Sequence, residues 1–330
     1  MNFNTKKSLL ASAKSNDASG RQNTENSLAI ILAGGSGLLD SGLIPANLRG
    51  QRPVHFSRAA GSEIVINKTR KLIANVFQSQ DTTFVVSEQH ERYYEEVLAE
   101  VPHENIIVQP QDDGTTMAIL YAALRMAIKN PSAVLTFFPA DFYTPNAEEF
   151  LRRVQSACAF ARCDPNLILL GIKPDDSNNK GEWIELDSSA PVDKNFGVWR
   201  VRRFLTNTTP RRELINNGAL LNSSVMVGTA ATFLRKISRA APEIYERFSI
   251  AAERIGTVSE QRAVRAAYYS QYSYTDFSRN VLEKSAEKLM VVPVPASLKS
   301  AVGIKPQAVA PIPDAVVNSV PKFYTAQVGA

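Results

Sequence analysis

Five short, almost unbroken apolar runs constrain this chain more than any other feature: 27–33 (SLAIILA), 82–87 (TTFVVS), 105–109 (NIIVQ), 133–140 (AVLTFFPA) and 166–172 (NLILLGI). A strand with one wet face alternates apolar and polar residues. A run that is apolar at nearly every position must be covered on both faces, which is the condition of a strand inside a parallel sheet. Between the runs the apolar spacing is helical. It predicts a helix over 88–101, with Tyr93, Tyr94, Val97, Leu98 and Val101 on one face. A second, over 116–129, gathers Ile119, Leu120, Ala123, Leu124, Ala127 and Ile128. A third, over 147–162, gathers Phe150, Leu151, Val154 and Ala157, and Asn146 followed by Glu149 supplies a capping-box-like start. Strand, helix and strand at this spacing predict a right-handed, doubly wound α/β layer. The pattern changes after 182. Segments 182–187 (EWIELD), 198–205 (VWRVRRFL) and 218–228 (GALLNSSVMVG) predict strands on longer loops, an antiparallel addition. Helices follow within 230–284, and 289–295 (LMVVPVP) predicts a last strand.

Residues 1–26 are polar and predict a disordered lead-in; 304–330, rich in Pro, Ala and Val, predicts an extended tail; 27–303 is expected to be one domain. The net charge of +5 is spread without a dense Lys/Arg block. That argues against a nucleic-acid surface and suits a small anionic ligand. Cys158 and Cys163 lack zinc spacing and are expected as reduced thiols. No apolar stretch approaches the ~18 residues of a membrane helix, and Leu9–Ala11 is too short for a signal-peptide core. The expectation is a cytoplasmic protein with no membrane partner, its homo-oligomeric state open.

Two segments carry chemistry. Leu32-Ala33-Gly34-Gly35-Ser36-Gly37 directly follows the first apolar run, where glycines let backbone N–H groups approach a phosphate or a base. Neither common phosphate motif completes. The dinucleotide fingerprint meets Asp40 where it needs glycine, and no Gly-Lys-Ser/Thr follows. A tight turn without a ligand is the other reading. The second segment, Phe138-Pro139-Ala140-Asp141, ends the most apolar run. Open α/β sheets bind ligands outside the carboxyl ends of their strands. A carboxylate there suits Mg²⁺, which takes hard oxygen ligands and bridges phosphates; a turn-capping Asp is the alternative.

In order along 28–295, the chain resembles the sugar-1-phosphate nucleotidyltransferases, most of all the mannose-1-phosphate guanylyltransferases. LAGGSG (32–37) resembles the family's opening nucleotide loop. Gln109-Pro110 through Gly114-Thr115, then Ala118-Ile119 and Ala122-Ala123-Leu124, is similar to its Glu-Pro…Asn-Thr-Ala-Pro-Ala-Ile element. PAD (139–141) resembles its Pro-Ala-Asp-His metal segment. Gly171-Ile172-Lys173-Pro174 and Pro242-Glu243-Ile244-Tyr245 match short family elements, Gly218…Leu221-Asn222-Ser223 resembles its Trp-Asn-Ser strand, and Asp276-Phe277 with Val281-Leu282-Glu283-Lys284 its Ile-Asp-Tyr…Met-Glu-Lys segment. The resemblance implies a three-layer, mostly parallel, Rossmann-like and GT-A-like fold. It implies that Gly34, Gly35, Ser36, Gly37 and Thr115 hold a nucleotide, that Asp141 binds Mg²⁺, and that Asn222 faces the sugar. The implied substrates are a nucleoside triphosphate and a sugar-1-phosphate, or the NDP-sugar they form.

Four charged family positions are altered. Leu38-Leu39 follow the glycines where the family has Thr-Arg, Val54 follows Pro53 in place of Lys, Leu205-Thr206-Asn207 follow Phe204 in place of its Lys segment, and Ala301 stands for its second metal Asp. Phosphoryl-type transfer rests on positioning and charge stabilisation. Such losses predict impaired turnover, so a non-catalytic family member that binds nucleotide or sugar phosphate, or acts as a scaffold, is the alternative function. The long segment after Gly37 is expected to be mobile, and it carries Arg49 and Arg52, the candidates for replacing a lost phosphate contact. His55, after Pro53-Val54, reads as a surface residue, with a place facing the site as the alternative. Trp183 and Trp199 read as core or strand-face aromatics, not stacking platforms.

Overall fold

The computed structural model describes residues 27–35, 52–58, 63–144, 146–174, 181–187, 191–206, 212–270 and 273–295. The lead-in, the tail, the segment 36–51 with Ser36, Gly37, Leu38, Leu39 and Arg49, and Ala301 lie outside the described residues.

Nine strands form one sheet: β1 (Ser27–Ala33), β2 (Thr82–Ser87), β3 (Ile106–Gln109), β4 (Val134–Pro139), β5 (Leu167–Ile172), β6 (Trp183–Leu186), β7 (Trp199–Leu205), β8 (Leu220–Thr229) and β9 (Leu289–Val294). Their spatial order is β3-β2-β1-β4-β8-β5-β9-β7-β6. β3, β2, β1 and β4 pair in parallel, as do β5 and β9. β8 is antiparallel to both β4 and β5. β7 is antiparallel to β9, and β6 to both β7 and β8. The sheet is therefore mixed, and its antiparallel content is not a peripheral addition: β8 runs through the middle. Its composition explains why. Val225–Gly228 are all buried, so this half needs cover on both faces and a strand on either side.

Alternation along β1 sorts the core into two clusters. Ile30 faces one, with α3 (Thr115–Lys129), α6 (Ala230–Ala240), α7 (Pro242–Ala252) and α8 (Glu260–Tyr269). Ala29, Ile31 and Ala33 face the other, with α1 (Val65–Ile73), α2 (Glu91–Val97) and α4 (Ala147–Ala161). A short helix, α5 (Arg212–Asn216), precedes β8. Helices thus cover both faces, as the apolar runs required. Phe137 and Phe138, adjacent in β4, are both fully buried on opposite faces. At ~25 cal/mol per Å², each large buried ring stabilises the fold by a few kcal/mol.

Three local expectations change. The 88–101 helix is a turn at Glu88–His90 followed by the short α2; Tyr94 and Leu98 are buried while Tyr93, Val97 and Val101 pack at the cluster margin. Ile128 is 54% exposed, because α3 leaves the core in its last turn. His55 is buried, not on the surface. Asn146 does cap α4, its side chain accepting from the Glu149 N–H at 3.2 Å. Trp183 is fully buried and Trp199 packs against the larger cluster. Both cysteines are free thiols, Cys158 buried and Cys163 exposed.

Candidate nucleotide site at the carboxyl edge of the sheet

Because β1 and β4 run in parallel with Leu32 beside Pro139, Gly34 and Asp141 each stand two residues beyond that pair, on neighbouring strands at one edge. The Ala140 N–H donates to the Leu32 carbonyl at 3.2 Å and ties the two segments together. Beneath, the buried Thr69 of α1 donates its hydroxyl to the Ala140 carbonyl at 2.8 Å, with the Phe142 carbonyl at 3.1 Å. This fixes the turn that carries Asp141. Burial pushes the Asp141 carboxyl above its ordinary range, partly offset by a backbone hydrogen bond. A desolvated carboxylate of this kind gains from a cation, which restores the charge stabilisation that burial removes.

Gly34 is closely approached by a side chain. A Cβ built on it would lie 1.9 Å from Nε2 of Gln109, the last residue of β3. The Gln109 side chain is buried, and its Oε1 accepts from the hydroxyl of the buried Tyr268 of α8 at 3.0 Å. Ser87, paired with Gln109 at the end of β2, stands between Gln109 and Gly34 in the strand order.

Next to them α3 begins at Gly114, whose φ of +99° favours glycine and whose Cβ, were there one, would meet the Thr275 carbonyl oxygen at 2.0 Å. That absence lets the 273–277 segment cross the helix start. Thr275 N–H and Oγ1 both donate to the Asp113 carbonyl at 2.8 Å, Thr116 N–H donates to the Thr275 carbonyl at 3.3 Å, and Phe277 N–H donates to Thr115 Oγ1 at 2.9 Å. Thr115 is exposed at the first turn. Burial also raises the Asp113 carboxyl, against a hydrogen bond from Gln111.

β8 runs antiparallel, so its first residues reach the edge where the parallel strands end. Asn222 lies beside Gly171 near the end of β5. Its Nδ2 donates to Glu182 Oε2 at 2.8 Å, and its Oδ1 accepts from the Ser224 N–H at 3.1 Å, where Ser224 has a φ of +61°. Ser278 Oγ donates to the same Glu182 oxygen at 2.9 Å. Burial raises the Glu182 carboxyl and Asp276 adds to the rise; Asn222, Ser278 and Arg279 oppose it.

The edge thus gathers Gly34, Gly35, Thr115, Asp141 and Asn222 from four separate parts of the chain, the glycine turn among them. Arg52 is engaged elsewhere: it pairs with Glu96 at 3.2 Å and lies over the Tyr93 ring, 5.4 Å from its centroid. His55 is held down to about 3 by burial and by His90, against a hydrogen bond to the Ala33 backbone, and so is neutral at physiological pH. Sequence reading passed over Glu182, the Gln109–Tyr268 bond and the burial of His55. Glu182 leaves a trace, a carboxylate opening the otherwise apolar Trp183-Ile184. The Gln109–Tyr268 bond spans 159 residues and leaves none.

Open α/β sheets bind their ligands outside the carboxyl ends of their strands, and in this chain the glycine turn and a carboxylate stand side by side there. The fold matches a mannose-1-phosphate geranyltransferase from Thermus thermophilus, with a TM-score of 0.66 and 20% identity over 84% of this chain and 76% of that one. It also matches a mannose-6-phosphate isomerase from Helicobacter pylori, with a TM-score of 0.60 and 17% identity over 83% of this chain and 99% of that one. Among curated proteins, the alginate biosynthesis protein AlgA of Pseudomonas fluorescens is 24% identical over 275 residues, 82% of this chain and 55% of the relative. The mannose-1-phosphate guanylyltransferase of Escherichia coli is 25% identical over 224 residues, 66% of this chain and 47% of the relative. The chain spans about half the length of the curated relatives it matches. No family model matches. The name of the Escherichia coli relative agrees with the resemblance read from the motifs. No helix among the described residues is long and apolar enough to cross a membrane.

Proposed function

We propose that this chain is a sugar-1-phosphate nucleotidyltransferase-type protein that binds a nucleoside triphosphate and a sugar-1-phosphate at the carboxyl edge of its sheet. The reading takes the fold as the three-layer nucleotidyltransferase architecture. The observation that carries it is the juxtaposition of Gly34 and Asp141 on neighbouring strands. Gly34 and Gly35 give the phosphates a backbone cradle; Ser36 and Gly37, the other two nucleotide contacts expected from the sequence, lie outside the described residues. Thr115 lies beside the nucleoside, and Asn222, fixed by Glu182, faces the sugar. Mg²⁺ fits one carboxylate completed by substrate phosphates, the way it usually binds. The described residues form no group of three or more carboxylates, His or Cys that would cage a metal without substrate. Asp141 would hold the ion, which supplies charge neutralisation at the phosphates.

The chemical step is expected to be slow. Val54 and Leu205 carry no charge, Arg52 is committed to Glu96 unless it leaves that pair, and His55 is neutral. Each preorganised charge removed from such a centre costs ~10²–10³ in rate. These same observations favour a second reading, a non-catalytic member that binds these ligands as a scaffold or regulator. The deciding experiment is pyrophosphate release from nucleoside triphosphates with sugar-1-phosphates and Mg²⁺, beside Asp141→Ala. Release that Asp141→Ala abolishes supports the enzyme. Ligand binding without release supports the second reading. Neither binding nor release overturns both.

A further inference from the structure

A cleft of about 390 Å³ opens at the amino edge of the sheet, away from Gly34 and Asp141. Thr82, the first residue of β2, lines it, with Val101 and Pro102 ahead of β3 and one side of α1. That volume is in the range that holds a small organic molecule. Asn67, Arg70, Lys71 and Ala74 recur at helical spacing and so turn together to the cleft, while Ile66, Thr69 and Ile73 are buried on the other side. A charged helix side is ordinarily a solvated one, but Arg70 is held in place. Its Cζ lies over the Phe84 ring, 5.5 Å from the centroid, and its Nη1 donates to Asn67 Oδ1 at 3.3 Å. Both partners are uncharged, so they orient the guanidinium without neutralising it. No carboxylate pairs with it among the described residues. Glu63 is taken by Lys71 at 2.6 Å, and Glu100 lines the same cleft without pairing. The result is a half-buried, oriented cation that faces a cavity with most of its five N–H donors uncommitted.

We infer that this cleft is a second binding site, independent of the nucleotide edge, and that it takes a small molecule with a single anionic head, a carboxylate or a phosphate monoester, on an apolar body. Arg70 receives the head, because its planar fork matches the paired oxygens of either group. Ala74, Val101 and Pro102 form the wall that covers the apolar body. The two acids set the upper limit on charge. Glu63 and Glu100 stand in the same cleft and repel a dense polyanion, so a nucleoside triphosphate does not suit it.

The test is a ligand-observed NMR titration of the full chain with benzoate, phenyl phosphate, benzyl alcohol and inorganic phosphate. Benzoate or phenyl phosphate is expected to bind about tenfold or more tighter than benzyl alcohol, which lacks the charge, and than inorganic phosphate, which lacks the ring. The tighter of the two anions identifies the head. Arg70→Met keeps an apolar stem over Phe84 and removes the fork, and it should weaken that anion about tenfold or more. Arg70→Lys keeps the charge without the fork and should fall between. Asp141→Asn, at the other edge, should bind both anions as the native chain does. Melting curves establish that the variants are folded; Arg70→Lys decides the matter if Arg70→Met does not fold, and native affinity in it then counts against the site. Four results overturn the inference: neither anion binding below about 10 mM, benzyl alcohol or inorganic phosphate binding as tightly, binding that Arg70→Met leaves unchanged, or binding that Asp141→Asn removes. None of them bears on the nucleotide site.

Discussion

Gly114→Ala perturbs the site at a residue that is not itself proposed to meet a ligand. At φ +99° and ψ 174° the backbone is in a region reserved to glycine, so a methyl group costs ~1–3 kcal/mol in strain alone. The methyl carbon would also sit 2.0 Å from the Thr275 carbonyl oxygen and 2.8 Å from its carbon and nitrogen. Those are backbone atoms, so no side-chain rotation relieves the clash. The 273–277 segment must move, and with it go the two Thr275 bonds to Asp113, the Thr116–Thr275 bond and the Phe277–Thr115 bond. At ~0.5–1.5 kcal/mol for each of the four bonds, and with the strain added, the total loss is about 3–9 kcal/mol, a large share of the ~5–15 kcal/mol of a typical domain. Gly218→Ala is the control. Its φ is +77°, yet nothing lies within 4 Å of the added carbon, so it should cost only about 1–2 kcal/mol. Urea unfolding at unchanged slope measures both. Equal costs for the two variants, within ~1 kcal/mol, would refute the close-approach reasoning.

Asp141→Asn should raise the ligand-free melting temperature at pH 7.5. Between the ordinary value of 3.8 and its raised folded value, the folded chain keeps a proton that the unfolded chain has released, so stability falls as pH rises through that window and stays lower above it. The Asn variant lacks this penalty, and scanning fluorimetry reads the difference. Lys236, lowered to about 8 by burial, donates to the Lys288 carbonyl at 2.6 Å and the Ser285 carbonyl at 3.4 Å, just before β9. Between pH 8 and 10.5 the unfolded chain binds the proton that the folded chain has lost, so the lysine's contribution to stability should rise with pH there. Urea titrations of native and Lys236→Met protein at pH 7.5 and 9.5 check it; a difference that does not change with pH contradicts it. Synthesis of GDP-mannose from GTP and mannose-1-phosphate should be undetectable or at least ~100-fold below an active family member, by pyrophosphate release.

The apolar runs announced their own strands almost to the residue, because burial on both faces leaves no polar position to blur the ends. α1 was not legible: VINKTRKLI mixes charges into a short stripe and has no side-chain cap at its start. The central place of β8 was hidden for another reason. An antiparallel strand reaches the middle of a parallel sheet only through pairing with β4 and β5, and local sequence carries no trace of distant partners. At the site, Gly34 and Asp141 were readable because each ends an apolar run. The roles of Gln109 and Glu182 were not, since each depends on Tyr268, Asn222 or Ser278, all far along the chain.

The central claim, a nucleotide site built on Gly34 and Asp141, is tested most directly by a melting-temperature panel of GTP, ATP, UTP, dTTP and their sugar nucleotides with Mg²⁺, run on the native chain and on Asp141→Asn. A ligand that binds only the folded state must raise the midpoint by mass action. The account predicts a rise with at least one nucleotide in the native protein, and loss of its Mg²⁺-dependent part in Asp141→Asn. No rise with any member of the panel, or a rise with the same Mg²⁺ dependence in Asp141→Asn, would contradict it.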